Sequence, residues 1–158
     1  MNSVQDAMIE LQIETILSLA VEWATAQETV ILRSGVPLDE SQLSDARQLG
    51  VLFPERVRLL QVEQIPAPDD HLLATAAANL LSPLTGGMTL RYGIFIRSNH
   101  WGERLLVAHE LVHTGQYERL GGFEGFLRPY LAECLSPPGY PYGPMEQEAI
   151  VRSGQLCN

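Results

Sequence analysis

The chain has 158 residues, enough for one domain with a buried core, and 46% are hydrophobic against 18% charged, which excludes a disordered chain. The formal net charge of -9 argues against nucleic acid and anionic membrane surfaces as partners. Two cysteines, Cys134 and Cys157, make neither a Cys-x-x-Cys metal pair nor a disulfide framework, which suits a reduced compartment.

From residue 3 to about 32, Val4, Met8, Leu11, Ala20, Trp23 and Ala24 recur at helical spacing, and Ile9, Ile13, Ile16 and Leu17 widen the stripe. The pattern predicts a long amphipathic helix that starts at Ser3 and stops at Gly35. Asp6, Glu10 and Glu14 interrupt its apolar positions, which argues against a signal peptide. Its polar face is acidic, wrong for lipid headgroups, so it reads as a scaffold helix over a core. No apolar run reaches bilayer length, and the expectation is a cytoplasmic protein without a membrane segment.

Residues 37–49 predict a shorter helix ended by Gly50. In 57–63, partial alternation and β-forming residues predict a strand, broken by Pro66-Ala67-Pro68. Asp69 or Asp70 then caps a helix running to about residue 81, with His71 a surface residue at its start. Ser82-Pro83 and Gly86-Gly87 punctuate a turn. Residues 88–97 carry Leu90, Tyr92, Ile94, Phe95 and Ile96 and predict one or two strands, with Gly93 at a bend or a close backbone approach.

After a loop over 98–102, a helix is expected from about residue 103 to 119, stopped by Gly121-Gly122. Residues 123–135 predict another helix, which Pro129 must start or kink. The Pro- and Gly-rich stretch 136–144 reads as an ordered loop. Pro144 suits the first position of a last helix reaching about residue 153.

The helix over 103–119 contains His109-Glu110-Leu111-Val112-His113. Histidines four apart share one face of a helix and can share one ion, and Glu110 beside them can take a proton from a water. A catalytic zinc takes three protein ligands and leaves a place for water. The extended metzincin motif is excluded, because Gln116 and Arg119 stand where it needs glycine and histidine. Glu118 and Glu124 follow the motif too closely to swing back. The third ligand therefore comes from a later helix, with Glu133 and Glu146 as candidates.

His109-Glu110-x-x-His113 followed by Glu146-Gln147-Glu148-Ala149 resembles the gluzincin metallopeptidases, especially compact ones. The resemblance covers roughly residues 88–152 and rests on these two short motifs. It implies a zinc ion held by His109, His113 and Glu146, Glu110 as general base, and Ala149 packed beneath the site. Glu133, at the spacing of thermolysin-type enzymes, and Glu148 remain alternatives for the third ligand. The chain departs from the pattern at Ile150, where many relatives carry Asp or Asn to support a ligand histidine. It also has no histidine after 113, so a transition-state stabiliser must be sought at Tyr140, Tyr142 or His100.

The expectation is thus an α+β protein, a single, mainly helical zincin-like domain over 1–158. Residues 1–50 supply N-terminal helices; residues 51–158 supply a small sheet, the histidine helix and the glutamate helix. The expected activity is zinc-dependent hydrolysis of a peptide or protein substrate. The alternative is a zincin-like metal-binding domain that serves protein recognition without turnover. A fourth protein ligand would favour that alternative, because structural zinc sites are closed.

Overall fold

The computed structural model describes residues 3–78 and 85–158. Among them the architecture is α+β, six helices and a small mixed four-stranded sheet beside the helix that carries the two histidines. Helix α1 (Ser3–Ser34) turns Ile13, Ile16, Leu17, Ala20, Ala24 and Ile31 inward, steps of three, four and seven that mark one face. It ends where expected. At Gly35 a Cβ would lie 2.7 Å from the Ile31 carbonyl oxygen and 2.9 Å from that of Leu59, so only glycine lets the backbone pass.

Strand β1 (Val36–Pro37) follows, and α2 (Glu40–Gln48) begins later than expected. Asp39 explains the shift. Its carboxylate accepts from the Gln42 amide while the Gln42 side chain accepts from the Asp39 amide, a reciprocal cap that sets the helix start. Pro37 is left to an edge strand, where a missing N–H costs little.

Strands β2 (Arg58–Val62), β3 (Gly87–Leu90) and β4 (Gly93–Arg97) complete the sheet in the order β1-β2-β4-β3. β2 runs parallel to β4, and β3 antiparallel to it. The stretch 88–97 is therefore two strands. Their turn places Arg91 at φ 62°, and Glu28 of α1 secures it. The Glu28 carboxylate accepts from the Arg91 guanidinium at 2.8 and 2.9 Å and from the Tyr92 amide at 3.0 Å. β4 is covered on both faces, which is why it reads as an unbroken apolar run. Ile94 and Ile96 join the core under α4, and Phe95 joins the one under α1. Burying each contributes about 1.5–3 kcal/mol.

Asp70 caps α3 (His71–Ala77) by accepting from the Leu73 amide at 3.0 Å, and His71 is exposed. The expected continuation to residue 81 and the Ser82-Pro83 turn lie outside the described residues. Helix α4 (Arg104–Leu120) ends on Gly121 at φ 88°, a left-handed cap that glycine adopts freely. α5 (Phe123–Leu135) runs through Pro129, and α6 (Pro144–Cys157) is longer than its expected end at about residue 153. α4 packs between the sheet and α6, while α5 docks on α1. Among the described residues no helix is long and apolar enough to cross a membrane.

Candidate metal centre

Packing on both sides buries α4 from Val107 through Tyr117, His109 excepted. One turn of helix separates His109 from His113 and puts both on the side facing α6. Their rings meet edge to face with centroids 5.1 Å apart. Between them comes Glu146, in the first turn of α6. Its Oε1 lies 2.6 Å from His109 Nε2 and its Oε2 lies 3.0 Å from His113 Nε2. One donor atom from each of the three residues falls within 4.8 Å of the other two. Ala149 is fully buried one turn further along α6.

Electrostatics bind the trio together. Burial alone would push the Glu146 carboxyl up, but hydrogen bonds and charge from His109 and His113 hold it well below the usual carboxylate range. Burial opposes a proton on His113 as well. The Glu146 hydrogen bond, the Glu110 and Glu146 charges and the Gln116 carbonyl outweigh it and raise His113 to about 9. Tyr130 of α5 donates its hydroxyl to Glu146 Oε2 at 2.8 Å.

Gln116 decides which nitrogen of His113 faces the cluster. Its side-chain amide donates to the Met145 carbonyl at 3.0 Å and to Glu148 Oε1 at 2.6 Å, two groups that only accept. Its Oε1 must therefore face His113 Nδ1, 2.7 Å away, and accept that nitrogen's proton. When the ring is neutral, the lone pair sits on Nε2 beside Glu146. An oxygen on the far nitrogen of a ligand histidine is the usual way such a ring is oriented for a metal. Two Nε2 atoms, an anionic carboxylate and a pre-set tautomer fit zinc, and three protein donors leave a place for water.

Glu110 points from α4 toward the sheet and is 6% exposed. The Thr89 hydroxyl on β3 lies 2.6 Å from Glu110 Oε2 and 2.9 Å from its backbone oxygen. A Cβ on Gly87 would come within 3.1 Å of Glu110 Cγ, so any larger residue there would press on this carboxylate's side chain. Glu110, His113, Glu146 and Tyr140 line one cavity. Burial first, then the Glu146 and Glu110 charges, pushes Tyr140 up to about 12, so its hydroxyl keeps its proton near neutral pH.

Compared with protein-family models, with curated proteins and with solved structures, the chain gives no match.

The remaining expected site residues fall elsewhere. Glu133 accepts from the Met145 amide at 2.7 Å and so caps the start of α6. Glu148, the other alternative, is half-buried and is held by Gln116, Arg119 and Arg152, which all bond to it. Tyr142 is 64% exposed and stands away from the cluster's cavity. His100 pairs with Glu103 at 2.7 Å and is not on the cavity wall. Ile150 is 44% exposed, so its position on α6 offers no support to a histidine, and Gln116 supplies that support instead. Sequence reasoning used Gln116 only to exclude a longer motif, although its place three residues after His113 puts it on the same helix face. Thr89 and Tyr130 carried no local signal, since their partners lie 21 and 16 residues away in the chain.

Proposed function

We propose that this chain is a zinc-dependent peptidase of the gluzincin kind, with His109, His113 and Glu146 as metal ligands and Glu110 as general base. The observation that carries the reading is Glu110 itself. A buried carboxylate that lines the same cavity as His113 and Glu146 and is braced by Thr89 suits hydrolysis, whereas a purely structural site needs no base.

When bound, zinc would supply Lewis-acid polarisation of a water and of the substrate carbonyl. Glu110 takes the proton of the attacking water and returns it to the leaving amine. Thr89 holds Oε2 by its hydroxyl, which leaves Oε1 for the proton. The Tyr140 hydroxyl, protonated near neutral pH, donates to the oxygen on which charge develops. β3 ends the sheet with no second strand beside it among the described residues, and an extended peptide can add to it next to Glu110.

A second reading keeps the metal and drops the turnover: a zincin-like domain used for protein recognition. The observation in its favour is that Glu146 already satisfies both histidines within the chain. One experiment separates the two. The purified chain is loaded with zinc, assayed for metal content and incubated with a mixed peptide library, beside Glu110→Gln. Peptidase action requires one zinc per chain in both proteins and cleavage by the parent only. Zinc without cleavage by the parent supports recognition, and no zinc in either sinks both readings.

A further inference from the structure

The cavity that holds Glu110, His113 and Glu146 at one end extends as a recess between α1, β3 and α5, with a volume of about 140 Å³. Ala20, Ala24, Leu90, Leu127 and Leu131 form its walls. Ala20 and Ala24 lie four apart on one face of α1, and their small side chains leave the room that larger residues would fill.

Several of the polar groups bordering this recess are engaged with each other. Thr89 donates to Glu110, the Tyr117 hydroxyl donates to the Thr89 carbonyl at 3.2 Å, and Tyr130 donates to Glu146. Most of the other lining residues are aromatic or aliphatic, and among the described residues no lysine or arginine lines the space. A charged guest would lose its hydration there without finding a partner at the apolar end. Size narrows the choice further. A dry cavity of about 150 Å³ walled by Leu, Ile and Phe admits benzene, and this one, its carboxylate end included, is no larger, so an isobutyl or a benzyl group is the upper limit of what its apolar part takes. Tyr140, which lines the cavity together with Glu110, His113 and Glu146, is 42% exposed.

We infer that this recess is the side-chain pocket for a residue flanking the scissile bond, and that it selects an uncharged apolar side chain of leucine to phenylalanine size. The inference rests on the peptidase reading above. The acidic carboxylates crowd only the end where the reaction occurs, so the substrate's backbone lies there and its apolar side chain descends between α1 and α5.

The test uses the zinc-loaded full chain and a peptide library randomised on both sides of the central bond, with cut sites read by mass spectrometry. The expected profile favours Leu, Met or Phe over Ala on one side of the cut by about 10- to 200-fold in kcat/KM. Ala24→Leu fills the recess and should lower that ratio at least tenfold. If that variant does not fold, Leu131→Ala widens the recess and should admit Trp at the same position. Cleavage without an apolar preference, a preference for Lys or Arg, or a profile that the folded variant does not move overturns the pocket and leaves the peptidase standing. Absence of any cleavage by the zinc-loaded parent overturns the peptidase reading, and the pocket falls with it.

Discussion

Replacing Glu146 by glutamine keeps the side chain's shape and removes its charge. Glu146 is 4% exposed and meets His109 at 2.6 Å, His113 at 3.0 Å and the Tyr130 hydroxyl at 2.8 Å. Hydrogen bonds to an ionised group each contribute about 1.5–3 kcal/mol, and breaking one side of a buried ion pair costs about 3–5 kcal/mol. The variant amide still accepts one bond, so the metal-free protein should lose about 3 kcal/mol. Groups that only orient a ligand are worth about 10- to 100-fold in metal affinity. A direct anionic ligand should exceed that, so zinc affinity should fall more than about 100-fold, or about 3 kcal/mol. Competition against a chromophoric chelator reads the affinity, and urea unfolding of the metal-free form reads the stability. Glu133→Gln is the companion variant. It leaves an amide oxygen to accept from the Met145 amide and removes only a negative charge at the start of α6, so it should cost about 0.3–1 kcal/mol of stability with little change in zinc binding. If Glu146→Gln binds zinc like the parent while Glu133→Gln or Glu148→Gln does not, the ligand assignment is wrong.

Three further outcomes follow from the same geometry. Gln116→Leu removes the acceptor at His113 Nδ1 and should weaken zinc binding about 10- to 100-fold, with loss of the Nδ1 proton resonance; Gln116→Glu keeps the acceptor and should restore that resonance. Tyr140→Phe should lower kcat by about 10²- to 10³-fold without changing zinc content, and an unchanged kcat would remove Tyr140 from the reaction. The third concerns pH. His113 is raised from 6.5 to about 9, so its contribution to metal-free stability is full below pH 6.5 and fades as pH climbs through about 9. Glu146 is lowered from 4.5, so its contribution is present above pH 4.5 and lost as pH falls through its folded value. Metal-free melting temperatures should therefore peak between about pH 4.5 and 6.5, while zinc affinity rises across pH 6.5 to 9 as His113 gives up its proton. Parallel slopes for the two measurements would show that His113 is not a zinc ligand.

Much of this architecture was legible from local pattern. The apolar stripe of α1, the glycine stop of α4 and the proline start of α6 are decided by side-chain period and backbone freedom within a few residues, so they survive folding unchanged. The start of α2 was not, because the Asp39–Gln42 cap competes with Pro37 as a start signal and wins by satisfying two amides at once. The two-residue β1 was invisible for a related reason. Its strand exists only because β2 offers it an edge.

The centre divides in the same way. His109, Glu110 and His113 were legible as a candidate site from sequence alone, since helical repeat makes positions four apart neighbours whatever the rest of the chain does. Which later glutamate joins them was a choice among Glu133, Glu146 and Glu148 that motif resemblance could rank and geometry could weigh. Only the docking of α6 on α4 brings Glu146 between the histidines, spends Glu133 on a helix cap and ties Glu148 to Gln116. The parts supplied by Thr89, Tyr130 and the recess beneath α1 depend on contacts between segments far apart in the chain. Such contacts have no period and no fixed spacing, and so they are decided by tertiary packing.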